Sequence, residues 1–210
     1  MFARQKSVKI TTMSRTNLAY KKQPLTDADY LRIERQAFEK SEFIGGRIVA
    51  MAGASENHNV ISSNIFLEIG IQTKKTNCRA FSSDMRVKAK KGNYYYPDVV
   101  IVCGERKFED NKKDVLLNPK VIIEVLSKST KLKDRNEKLD SYMSLEDLTD
   151  YVLVEQDTMR VEHFIKINEK EWKVYLLTEK AENLVLESIN CEILLDEIYR
   201  EVKFSKQHRD

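Results

Sequence analysis

A chain of 210 residues, with 41% hydrophobic and 33% charged side chains, can bury a real core and reads as an ordinary soluble protein. Its 36 basic and 33 acidic residues leave a net charge of +3, too small to imply nucleic acid by itself. No stretch approaches the roughly 18–20 apolar residues of a membrane span, and the N-terminus lacks the apolar core of a secretory signal. A membrane partner is therefore not expected, and the expected location is cytoplasmic.

Residues 1–24 carry Arg4, Lys6, Lys9, Arg15, Lys21 and Lys22 and no acid. This reads as a basic flexible leader, with a phosphate-touching arm or an organellar transit peptide as further readings. A single folded domain is expected over 25–205. Thr26-Asp27-Ala28-Asp29 caps a helix carrying Tyr30, Leu31, Ile33 and Phe38 and ending near Glu39 to Glu42. Phe43-Ile44, Gly45-Gly46 and Arg47 to Met51 predict a hairpin. A second helix after Ser55 shows a broad apolar face from Val60 to Ile69.

Cys78 to Lys88 is β-like, with a bend or bulge at Ser82-Ser83-Asp84, and Lys88 to Asn93 forms a basic hairpin tip. Pro97 to Val102 reads as a central strand covered on both faces. Gly104 to Asn118 is charged and loop-like, and a strand follows at 120–126. A helix is expected from about Lys131 to Leu145, then strands at Tyr151–Val154, Arg160–Ile167 and Trp172–Leu177, the last two paired. The tail, Val185 to Tyr199, reads as a short strand and a helical turn. The fold class is α/β, a mixed central β-sheet flanked by helices. Cys78, Cys103 and Cys191 are odd in number and widely spaced, so they read as reduced thiols of an intracellular protein. With His58, His163 and His208 they also lack zinc-ligand spacing.

Two acids stand out. Asp98 opens a run of β-branched residues and Glu124 lies within Val121-Ile122-Ile123-Glu124-Val125-Leu126. A carboxylate in such a strand is costly unless a cation or several donors compensate it. A hard divalent cation needs only one or two carboxylates, because it keeps several waters. Asp98 and Glu124 could supply these from neighbouring strands, with the main-chain carbonyl of Val125 as a third oxygen. Asp134, Lys138 and Tyr142 are spaced i, i+4, i+8 and share one helix face. Lys138 is the candidate to assist the attacking water or the phosphate.

The run Tyr94-Tyr95-Tyr96-Pro97-Asp98-Val99-Val100-Ile101-Val102, then Ile123-Glu124-Val125-Leu126-Ser127-Lys128-Ser129-Thr130, then Asp134, Lys138, Tyr142 and Asp150-Tyr151-Val152-Leu153-Val154 resembles the Uma family. These are bacterial restriction endonuclease-like proteins of the PD-(D/E)XK nuclease superfamily. Phe43-Ile44-Gly45-Gly46, Met51-Ala52-Gly53-Ala54-Ser55 and His58 are similar to the family's N-terminal signature, and the resemblance covers roughly residues 26–200. It implies a restriction-endonuclease-like fold and a metal-dependent endonuclease acting on DNA phosphodiesters. Asp98 and Glu124 would bind Mg2+ or Mn2+, Lys138 would stand for a migrated lysine, and Glu42 for an accessory acid. The chain departs from the family at Gly45, where Asp is common, and carries Leu126 where the superfamily's lysine ordinarily stands.

Structural readings stand beside these. Asp98 can shape a strand entry, Glu124 can form a buried ion pair, and Asp134 with Lys138 can be a surface pair. Tyr142 and Tyr94 to Tyr96 read as core or wall, with base stacking by the tyrosines as the sharper reading. Ser127, Ser129 and Thr130 read as helix caps, and His58 as a cap partner or a neighbour of the site. The rival function is a non-catalytic DNA- or protein-binding module on the same fold. Cutting both strands of a duplex pairs two active sites, which makes a homodimer the expected assembly.

Overall fold

The computed structural model describes residues 24–127 and 131–204. All but the last residue of the basic leader lies outside them, as do Ser129 and Thr130. Helix α1 (Asp27–Glu34) opens on a capping box in which the Thr26 hydroxyl accepts from Asp29 N and the Asp29 carboxylate accepts from Thr26 N. It stops earlier than the apolar pattern predicts, and Phe38 is fully exposed. The Glu34 carboxylate supplies the reason. It accepts from Ser41 N (2.9 Å), the Ser41 hydroxyl and the Tyr96 hydroxyl (2.9 Å), which draws the chain out of the helix and into a strand.

That strand, β1 (Ser41–Ile44), forms the expected hairpin with β2 (Arg47–Ala50). Gly45 and Gly46 both have positive φ, +55° and +79°, which a two-residue turn of this hand requires. Helix α2 (Glu56–Thr73) is capped by Ser55 and buries Ile61, Ile65, Ile69 and Thr73, one stripe at every fourth residue. Strands β3 (Cys78–Ser82) and β4 (Arg86–Lys88) flank the predicted bend, but the bend sends them into different sheets. β5 (Tyr94–Tyr95) follows the hairpin tip, β6 (Val99–Cys103) the Pro-Asp step. The charged stretch after it contains a short strand the sequence did not announce, β7 (Val115–Leu116).

β8 (Val121–Leu126) leads into α3 (Lys131–Lys133), a π-turn (Asp134–Lys138) and α4 (Leu139–Met143), one continuous helical segment returning to β9 (Asp150–Glu155). β10 (Val161–Lys166) and β11 (Trp172–Leu177) pair as expected. The tail is a hairpin, β12 (Asn183–Leu186) with β13 (Cys191–Leu194), and then α5 (Leu195–Ile198).

The larger sheet has the order β11-β10-β9-β8-β6-β3, with β8 and β9 parallel and its other pairs antiparallel. A second sheet, β2-β1-β5-β4-β7, lies beside it. Alternation along the central strands divides the core in two. Val99, Ile101, Val121, Ile123 and Val125 pack with the α2 stripe and the tail hairpin. Val100, Val102, Ile122 and Leu126 pack with Tyr95, Tyr142 and Tyr151 on the other face. Tyr94, Tyr95 and Tyr96 are all buried, as core packing requires.

Cys78 and Cys103 are not free thiols. The antiparallel register of β3 and β6 sets them opposite one another, and they form a disulfide across the strands. Only Cys191 remains free among the described residues. Closing a loop with a sequence separation of 25 residues contributes roughly 3 kcal/mol by restricting the unfolded chain. The bond also removes the thiol argument for an intracellular location. Among the described residues no helix is long and apolar enough to cross a membrane.

Candidate active site

The central strands fix where the two acids point. Val99 pairs with Ile123 and Val100 with Ile122, and Asp98 stands one residue before β6, beside the end of β8 that carries Glu124 and Val125. Glu124 alternates with Ile123 and Val125, so it leaves the α2 side and turns towards Tyr142 and the π-turn. There its Oε1 accepts from Lys138 Nζ (3.0 Å) and from the Tyr142 hydroxyl (3.2 Å). The sequence showed no opposite charge beside Glu124, because its partner lies 14 residues downstream on the crossover helix.

Lys138 is the hub. Besides Glu124, its ammonium lies 3.1 Å from Glu42 Oε1 and 3.1 Å from Asp134 Oδ1. Its side chain is only 6% exposed; its hydrogen bond goes to Glu124 Oε1, and Asp134 Oδ1, although within ion-pair distance, is buried with no hydrogen-bond partner. The ring of Tyr95 lies 5.7 Å from the same Nζ. Although burial pulls the ammonium down, Glu124, Glu42 and Asp134 hold its pKa well above the usual lysine range. Asp134, Lys138 and Tyr142 thus share the face their spacing predicts.

Glu42 belongs to this group, but it comes from β1 and not from a helix end. Its second oxygen, Oε2, accepts from Lys133 Nζ. Burial pushes the Glu42 carboxyl up; the Lys138 charge and the Lys133 hydrogen bond outweigh it and hold the pKa below the usual range. Sequence reasoning missed Lys133. It stands five residues before Lys138, a spacing that diverges on an α-helix and converges across a π-turn, which closes i to i+5.

Asp98 is held from the opposite side. Its Oδ2 accepts from Val125 N (2.7 Å) and lies 3.3 Å from His58 Nε2, in the first turn of α2. Although burial pulls the His58 pKa down, Asp98 and the Val125 backbone raise it. His58 Nδ1 is buried with no hydrogen-bond partner. No sequence spacing ties His58 to Asp98; the geometry of the α2 start does.

The balance of charge tests whether a cation suits these residues. Four carboxylates, Glu42, Asp98, Glu124 and Asp134, face two ammonium groups and one imidazole. Burial pushes the Glu124 pKa well up, and Asp134, Asp98 and Glu42 add to this against the pull of Lys138. Asp98 Oδ2 meanwhile lies beside the His58 imidazole. Carboxylate oxygens in excess of cations are the donor type a hard divalent ion takes. Among the described residues no three His, Cys, Asp or Glu side chains are grouped to hold a metal. Two carboxylates, a main-chain oxygen and water are the partners that Mg2+ ordinarily accepts.

Comparison with known proteins agrees with this architecture. The family model Uma2, described as "Putative restriction endonuclease", matches residues 27–195. The uncharacterized Synechocystis protein sll1609 is 42% identical over 165 residues, 78% of this chain and 92% of that protein. A second uncharacterized Synechocystis protein, slr1290, is 32% identical over 182 residues, covering 86% and 94% of the two chains. The fold is shared with a crystal structure from Anabaena variabilis titled a "putative nuclease belonging to DUF820". It superposes with a TM-score of 0.70 at 18% identity, over 84% of this chain and 98% of that one.

Proposed function

From the premise that the chain belongs to the Uma2 family of restriction endonuclease-like proteins, we propose that it hydrolyses DNA phosphodiester bonds with Mg2+ or Mn2+. The observation that carries this reading is the excess of acid around Lys138, with Asp98 held by Val125 N at the adjoining strand end. Asp98, Glu124 and the Val125 carbonyl are the residues that would hold the ion. When bound, it polarises a phosphoryl oxygen and lowers the pKa of a coordinated water.

The rest of the chemistry falls to the chain itself. Lys138 keeps Glu42, Glu124 and Asp134 together in a setting where they would otherwise repel one another. The Tyr142 hydroxyl fixes the orientation of Glu124 by donating to Oε1. His58 and Val125 N fix Asp98 at the mouth of the site. The wall of buried tyrosines, Tyr95, Tyr142 and Tyr151, keeps water from the inner end of Glu124 and so strengthens every charge interaction there.

The test is a cleavage panel of supercoiled, linear and single-stranded DNA and RNA, with Mn2+ and with EDTA, for the wild type, Asp98→Asn and Glu124→Gln. Mn2+-dependent cleavage of DNA by the wild type alone is expected, together with a Mn2+-induced rise in Tm that both variants lose. Undiminished cleavage by both variants would remove the assignment. A binding module that had kept only the fold would show DNA retention with neither cleavage nor a Mn2+ shift.

A further inference from the structure

The two lysines at the π-turn are not equivalent. Lys138 is buried, its side chain 6% exposed, and three carboxylates from three different elements lie within 3.1 Å of its ammonium. A phosphate oxygen could reach it only by entering that buried acidic cluster. Lys133 is different: its side chain is 25% exposed, and among the described residues its ion pair is with Glu42 Oε2. An ammonium has three donors, so that pair leaves Lys133 able to donate again, towards solvent. The π-turn sets it on the same carboxylate as Lys138, one on each oxygen, so its Nζ is held at the rim of the acidic cluster.

We infer that Lys133 is the lysine that meets a non-bridging oxygen of the substrate phosphate, while Lys138 is a positioning residue that holds Glu42, Glu124 and Asp134. The inference rests on the nuclease reading above and divides its labour. Glu42 then has a defined task. It bridges the two ammonium groups, passing the fixed position of Lys138 on to Lys133. No bond is made or broken by Lys133 itself: it donates a hydrogen bond to an oxygen whose negative charge grows as water attacks.

The experiment compares wild type, Lys133→Gln, Lys133→Arg and Lys138→Gln. Each is measured for Tm, for the Mn2+-induced Tm shift, for binding of a labelled DNA duplex in Ca2+ across a salt series, and for kcat and KM of cleavage in Mn2+. Lys133→Gln is expected to lose less Tm than Lys138→Gln, because Lys138 stays on Glu42, and to keep the Mn2+ shift. Its log–log salt slope should be shallower by about 0.9, the signature of one lost phosphate contact on duplex DNA. Its kcat should fall on the order of 10²-fold, with part restored in Lys133→Arg. Lys138→Gln is expected to lose Tm while keeping the wild-type salt slope. A Lys133→Gln protein with wild-type slope and kcat overturns the assignment and leaves the nuclease reading intact. A wild type that neither binds nor cuts DNA overturns both.

Discussion

Among the ionic clusters of the described residues, two differ in charge balance. At the outer sheet, Arg35 donates to Asp110 and to both oxygens of Asp114, and Arg86 donates to Asp114 from a buried position. Two cations meet two anions, and the Arg86 guanidinium is further covered by the rings of Tyr30 and Tyr96 at 6.0 and 5.7 Å. Around Lys138, four acids meet two lysines and one imidazole. The first cluster is matched in charge, although Arg86 Nε and Nη1 are buried with no hydrogen-bond partner, and it joins α1 to the loop around β7. The second has more acids than cations, deep among tyrosines, and the Glu124 pKa is pushed well up in consequence. Burial makes that surplus costly, so a cluster of this kind is the better place to look for chemistry.

This contrast can be broken by substitution. The largest effect is expected for Lys138→Met, which leaves three buried carboxylates facing one another. Losing one partner of a buried ion pair costs about 3–5 kcal/mol, and at about 2–4 °C per kcal/mol for a chain of this size the fall in Tm is plain in calorimetry. An unchanged Tm would show that the acids are not held by Lys138. Arg86→Met should cost less, roughly 1–2 kcal/mol, because Arg35 stays on Asp114; urea melts would measure it, and a loss matching that of Lys138→Met would erase the distinction.

A third prediction concerns acid. Burial pushes the Asp150 carboxyl up, but hydrogen bonds from His163, Ser188 and Thr149 outweigh it and hold it below the usual range. A depressed folded value adds stability above the unfolded pKa of about 3.9, and that stability is lost as pH falls through the folded value. Asp150→Asn should therefore be less stable than wild type at neutral pH, with the gap closing below about pH 4. A gap that persists in acid would contradict this. The smallest effect is expected for Glu124→Gln. It removes one acid from the surplus while its amide oxygen can still accept from Lys138 and Tyr142. Its stability should stay within about 0.5 kcal/mol of wild type or rise. A fall like that of Lys138→Met would mean that no surplus exists.

How far the sequence could be read depended on the range of each signal. Asp98 and Glu124 stood out because an acid in a β-branched run is conspicuous, and the antiparallel pairing of β6 with β8 brings their strand ends together. Lys138 and Tyr142 followed from i, i+4 spacing. Glu42 was picked by resemblance alone, and assigned to the wrong kind of element, because the tie between Glu34 and Ser41 that ends α1 has no local signature. Lys133 was invisible because the π-turn changes the phase of the helix between it and Lys138. The Cys78–Cys103 bond was missed for a related reason: only the strand register, not the spacing of the thiols, makes them neighbours. β7 is too short for any pattern, and its pairing is parallel and non-local.

The extra residue that widens the helix at Asp134–Lys138 acts as a phase shifter between two successive charges. Deleting one position there would let the segment relax into an ordinary spiral. The chain after it would keep its docking through Tyr142, whereas everything before it would rotate by about 100°. Lys133 would swing off Glu42, and the protein would keep its scaffold while losing the cation at its rim. A single-residue deletion is thus a cleaner lesion of this site than most point substitutions could be.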